Sequence, residues 1–156
     1  MKIDIGMTTK EREKVAEGLL DFLADTYALY LKTQNFHWNM IGAPFIGLHL
    51  LLEKQYDELA EAVDEIAERV RALGHFTEGS FSAFKKRSKI PEENKRVSWK
   101  EMVKRLVKAH EFLAKRYRPF IGYSQRLHDE MSADMLIKRI ASHEKAAWLL
   151  RSHIES

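Results

Sequence analysis

Along most of the chain the apolar residues fall at helical rather than strand spacing, which restricts it to an all-α fold. After Thr8, whose spacing to Glu11 is that of a capping box, Val15, Leu19, Phe22, Leu23, Tyr27, Tyr30 and Leu31 recur on one face for about seven turns. They predict helix A, ending near Asn39, because Gly42, Ala43 and Pro44 make a turn and Pro44 suits the first turn of a following helix. Helix B is expected from about Pro44 to Leu73, with Gly74 as its stop. Helix C starts at Ser98, with Glu101 completing a second capping box, and runs toward Leu127, with a kink or break expected at Pro119. Helix D follows, capped by Ser132 and carrying Met135, Leu136, Ile140, Ala147, Trp148 and Leu150.

Four long helices in 156 residues bury their apolar faces most simply as a bundle. The short A to B turn makes those helices antiparallel neighbours. The long B to C connection, in which "SFSAFKKR" predicts one short helix, must cross the bundle, and this is ferritin-like topology. The expectation is therefore a single ferritin-like four-helix domain over residues 1–156.

There is no cysteine, so disulfides, thiolate nucleophiles and cysteine-ligated clusters are excluded. The N-terminal stretch has no apolar segment of a secretory signal, and no run approaches a membrane span, which places the expected location in the cytoplasm. The net charge of +3 conceals an uneven distribution, −5 over residues 41–84 and +9 over residues 85–118.

The acidic segment holds the most informative spacing. On helix B, His49 and Glu53 are four residues apart, as are Asp64 and Glu68, and all four side chains fall within an arc of about 100°. Along the axis, however, Glu53 and Asp64 are about 16.5 Å apart and His49 and Glu68 about 28.5 Å, at 1.5 Å per residue. One helix cannot bring them around one ion. A second helix B, packed antiparallel about a two-fold axis between Glu58 and Leu59, sets His49 against Glu68 of the other copy and Glu53 against its Asp64. Two equivalent clusters result, as an isologous contact requires.

His37, beside the A to B turn, can add an imidazole at the His49 end. Such a shell suits iron(II), with manganese and zinc as competitors, and the lack of soft ligands disfavours copper(I). The plainer reading stays open: "DEIAER" is also what a solvated helix face looks like, and a histidine beside Trp38 also suits a core or interface. No glutamate lies three residues before a histidine, which argues against a metal centre inside one subunit's bundle.

The stretch "NFHWNMIGAPFIGLH", followed by "AVDEIAERVRALG", resembles the signature of the Dps family, or miniferritins, and "DEMSADMLIKRIASHEKAAWLLRS" resembles its last helix. The resemblance extends from about Ala16 to the end. It implies a shell of twelve subunits with ferroxidase sites at two-fold interfaces, oxidising iron(II), usually with hydrogen peroxide, and storing iron(III) as mineral. Position by position, the family's ligands fall on His37, His49, Glu53, Asp64 and Glu68, and Trp38 matches the tryptophan beside the site. Glu130 and Asp134 resemble the acidic lining of an iron entrance, although Gln125 stands where some members have another acid. Leu50 and Lys54 replace acids that relatives use in mineral nucleation.

Two other readings fit the same helices. A non-specific DNA-protecting protein, located at the nucleoid, is favoured by "KKRSKIPEENKR", where Lys85, Lys86, Arg87 and Lys89 are the candidate contacts. The tail before Thr8 has only Lys2. A helical interaction module without metal is the third.

Overall fold

The computed structural model describes residues 3–154, which form five helices: α1 (Thr9–Asn39), α2 (Phe45–Ala72), α3 (Phe81–Arg87), α4 (Trp99–Arg126) and α5 (Glu130–Arg151). The four long helices are the expected A to D, and α3 is the short helix of the long connection. No strand occurs among the described residues.

Capping chemistry sets the helix starts. Thr8 accepts from the Glu11 backbone N–H, and the Glu11 carboxylate accepts from the Thr8 N–H at 2.7 Å, so the first capping box is complete. At Ser98 only half of one forms. The Ser98 hydroxyl accepts from the Glu101 N–H, but the Glu101 carboxylate turns to Arg105 Nε at 2.8 Å, because an i,i+4 arginine competes for it.

The cap of α5 is Asp129 rather than Ser132. The Asp129 carboxylate accepts from the Ser132 N–H and hydroxyl at 3.0 and 2.7 Å and from Arg69 of α2 at 2.7 Å. Ser132 lies inside the first turn, and its charged neighbour is the stronger acceptor.

Pro119 also departs from expectation, since α4 continues through it without a break. The carbonyl that loses its partner belongs to Lys115, and both residues lie on the exposed face, where solvent can replace the missing N–H. The continued helix carries Phe120 onto α1 at Gly18, where an added Cβ would collide with the phenyl ring.

α1 packs along α2, α4 along α5, and the two hairpins join through α1 against α4 and α2 against α5. Val15, Leu19, Phe22 and Leu29 meet Leu48, Leu52, Leu59, Ile66, Leu106, Leu113, Leu136 and Leu150 in one core. Burying each such side chain contributes about 1.5–3 kcal/mol. Trp148, expected on the core face, is instead 59% exposed, because the buried stripe runs through Ala147 and Leu150 and position 148 is rotated off it.

The connection carrying α3 is tied down by a buried carboxylate. Asp25 of α1, fully buried, accepts from the Ser88 hydroxyl (2.9 Å), the Lys89 N–H (2.6 Å), Arg116 (2.7 Å) and the Tyr117 hydroxyl (2.8 Å). Burial, then the Asp25 charge, pushes the Tyr117 phenol far above its usual range, which keeps it a donor. No helix among the described residues is long and apolar enough to cross a membrane.

Candidate metal centre

His37 ends α1, and His49 lies one turn into α2, across the tight turn in which Gly42 takes φ +116°. That turn brings the imidazoles together, stacked with centroids 3.8 Å apart. Each ring is then fixed by the other residue's backbone. His37 Nδ1 lies 2.9 Å from the His49 carbonyl and His49 Nδ1 lies 3.1 Å from the His37 carbonyl. A carbonyl only accepts, so each Nδ1 carries the proton and donates. In the neutral ring the lone pair then lies on Nε2, which is the form in which imidazole binds a cation. Phe45 stacks on His49 at 5.0 Å and Tyr56 meets His37 edge-on at 5.1 Å, completing an aromatic frame.

Glu53 follows one turn after His49 and is half-buried, while Asp64 and Glu68 lie farther along α2 and are exposed. The structure thus places His37, His49 and Glu53 at one end of α2 and Asp64 and Glu68 toward the other. Among the described residues, no three acidic or histidine side chains of one chain gather closely enough to hold an ion. The α2 face that bears these residues is uncovered. Ile46 is 66% and Leu50 52% exposed, and at its midpoint the face presents Asp57 and Ala60, also exposed. Glu58 turns inward and pairs with Arg139 of α5.

The remaining candidate positions are distributed over the surface. Trp38 is 63% exposed. Glu130 and Asp134 are exposed at the start of α5, and Asp134 pairs with Lys138 at 2.7 Å. Gln125 and Lys54 are exposed as well. Of the basic run, Lys86 and Lys89 project from the surface and Lys85 pairs with Glu92 at 3.2 Å across open surface. Arg87 is drawn back to Glu17 and Asp21 of α1, each at 3.1 Å. Lys2 lies outside the described residues.

A second pair of histidines escaped the sequence reading. His110 of α4 and His143 of α5 meet inside the bundle with Nδ1 atoms 3.0 Å apart, and both Nε2 atoms are buried without partners. Helical phase puts each on the apolar face of its helix, His110 between Leu106 and Leu113 and His143 between Ile140 and Ala147, but the two lie far apart in the sequence on separate helices and nothing in it pairs them.

The ferritin-like domain family matches residues 16–156. A low temperature-induced protein of Nostoc is 40% identical over 156 residues, covering 99% of this chain and 87% of the relative. The DNA protection during starvation protein of Porphyromonas gingivalis is 32% identical over 148 residues, covering 95% and 93%. The crystal structure of a Vibrio cholerae Dps protein, described as a member of a broad superfamily of ferritin-like diiron-carboxylate proteins, superposes with a TM-score of 0.92 at 28% identity, covering 99% of this chain and 98% of that one. Helix order, the long connection crossing to α4 and these near-full-length matches agree, and the chain belongs to the ferritin-like domain family and, within it, to the Dps family.

Proposed function

We propose that this chain, one ferritin-like domain over residues 1–156, oxidises iron(II) and stores the product inside a shell of twelve copies. Each oxidation site is shared between two subunits, with His37, His49 and Glu53 from one and Asp64 and Glu68 from the other. The observation that carries this reading is the reciprocal His37–His49 arrangement, which leaves Nε2 as the lone-pair nitrogen of each neutral ring, with His49 one turn of α2 before Glu53. The exposed acidic face of α2 supports the second half of the shell, since an antiparallel copy brings Asp64 and Glu68 to that end.

In this reading iron(II) is the substrate, entering past Glu130 and Asp134. The imidazoles hold it without adding charge, and the carboxylates favour the more highly charged iron(III), while the redox chemistry is the metal's own. Two iron(II) ions each give one electron to hydrogen peroxide, which takes up two protons and leaves as two waters. Iron(III) then moves inward and mineralises. Leu50 and Lys54 make the inner surface a less acidic nucleator than one with carboxylates at those positions. Manganese and zinc, which accept the same ligands, act as competitors.

The test is the double variant His49→Ala, Asp64→Ala, challenged anaerobically with iron(II) and then peroxide. Rapid ferric absorbance should be lost while the assembly mass is kept. An unchanged rate in the assembled variant would sink the assignment.

A second activity, non-specific DNA binding, is favoured by the exposed Lys85, Lys86 and Lys89 and coexists with iron storage. Both activities fit a protein of the cytoplasm, at the nucleoid where DNA is bound.

A further inference from the structure

A line of aromatic rings leads away from the histidine pair. Tyr56 of α2 meets His37 edge-on at 5.1 Å, Tyr30 of α1 meets Tyr56 at 6.2 Å, and Tyr27 meets Tyr30 at 5.8 Å. Beyond Tyr27 the line ends on Phe84 of α3 at 4.7 Å. All three tyrosines are half-buried. The Gln34 amide donates to the Tyr30 hydroxyl oxygen at 3.2 Å, which holds that oxygen and leaves the phenolic hydrogen free to depart.

We propose that Tyr56, Tyr30 and Tyr27 form a relay that takes up one-electron oxidising equivalents arising beside His37 and carries them away from the metal ligands. The inference rests on the iron-oxidising reading above. When one iron(II) meets hydrogen peroxide without a second to share the reduction, a single electron breaks the O–O bond and yields iron(III), hydroxide and a hydroxyl radical. That radical takes the phenolic hydrogen atom of Tyr56, giving water and a neutral tyrosyl radical. Tyr30 then passes an electron and a proton to Tyr56, restoring its phenol, and Tyr27 does the same for Tyr30.

Transfer between like phenols has almost no driving force in either direction, so the radical is spread over three residues. Phe84 is much harder to oxidise and ends the path. A small thiol ends the sequence by giving Tyr27 a hydrogen atom and becoming a thiyl radical. Trp38 is the obvious alternative, but it is 63% exposed, whereas the Tyr56 ring meets His37 edge-on at 5.1 Å. Tyr56 is the oxidisable ring in contact with the site.

The experiment is freeze-quenched electron paramagnetic resonance on the assembled protein, loaded anaerobically with less than one iron(II) per site and mixed with peroxide. Ferric absorbance is read in parallel, so that radical yield is expressed per iron oxidised. Wild type should show a tyrosyl signal, and Tyr56→Phe, which keeps the ring and its packing, should lose most of it. The double variant Tyr27→Phe, Tyr30→Phe should still form the radical, now confined to Tyr56 and quenched more slowly by an added small thiol than in wild type, and equal quenching in both overturns the path through Tyr30 and Tyr27. A yield unchanged in Tyr56→Phe, or a signal removed only by Trp38→Phe, overturns the relay. Iron oxidation by wild type without any tyrosyl signal overturns the relay alone, whereas absence of iron oxidation overturns the functional reading and the relay with it.

Discussion

His37 and His49 fix each other's tautomer, because each ring Nδ1 lies on the other's backbone carbonyl, at 2.9 and 3.1 Å. In the neutral rings both Nε2 atoms are thereby the acceptors before any ion arrives, and little reorganisation remains for binding. If Asp64 and Glu68 of a second copy complete the shell, inactive variants should complement each other. Co-assembled in equal amounts, His49→Ala and Asp64→Ala chains should rebuild intact sites wherever an Asp64→Ala chain gives its histidines to a His49→Ala chain. Random pairing across an isologous contact restores roughly a quarter of the sites. Rapid iron oxidation by the mixture, against neither variant alone, is the measurement. No recovery in mixed assemblies would show that each subunit carries its own site.

Much of this arrangement is legible in the sequence because helical phase is a local property. Thr8 with Glu11 locates the start of α1, Gly42 to Pro44 the turn, and positions 49, 53, 64 and 68 share a face by counting alone. What counting misses is competition between groups that meet only in three dimensions. Ser132 is a good cap by type, but Asp129 also receives Arg69 from α2, and the charged residue takes the role. Arg87 reads as one more cation of a basic run until Glu17 and Asp21 are placed beside it. Of the relay tyrosines, Tyr27 and Tyr30 read as ordinary core positions, and only the packing of α1 on α2 brings Tyr56 against both Tyr30 and His37.

Asp25 of α1 anchors the connection between α2 and α4, and its loss should be costly. Asp25→Ala would leave the buried Tyr117 hydroxyl without its acceptor, leave Arg116 only the longer contact to Asp21 at 3.5 Å, and release Ser88 and Lys89. Losing a buried charged partner costs about 3 kcal/mol. Urea unfolding should show a loss of that order, together with faster amide exchange in residues 81–90. A change within error would mean that Asp25 is dispensable there.

The same packing sharpens the expectation for DNA. Lys86 and Lys89 project from the surface and Lys85 is held only by a solvent-exposed pair with Glu92, whereas Arg87 is engaged with α1. Replacing the three lysines by alanine should weaken binding and flatten its salt dependence between about 50 and 200 mM, because fewer condensed counterions are released. Arg87→Ala should leave that slope unchanged and instead loosen α3. Gel shifts on duplexes of unrelated sequence provide the comparison. Equal slopes for wild type and the triple variant would reject this surface.

The His110–His143 pair predicts how stability responds to acid. One Nδ1 must carry a proton and the other must accept it, so the buried pair is neutral. Burial, followed by the charge of Arg139, lowers His110 from 6.5 to about 3. His143 is lowered as well, by burial first, then by His110 and Arg139. The unfolded chain therefore takes up protons that the folded chain refuses. Stability is fully present above about pH 6.5 and falls with decreasing pH, for His110 down to about 3, by about 1.4 kcal/mol per pH unit and imidazole. Urea midpoints of the metal-free protein between about pH 6.5 and 5, above the range of ordinary carboxylates, should drop steadily. Replacing both histidines by leucine removes both polar partners together, a change that can be nearly neutral at high pH, and should flatten the dependence. A wild-type profile already flat over that interval would show that the pair is protonated, or open to solvent, in the folded protein.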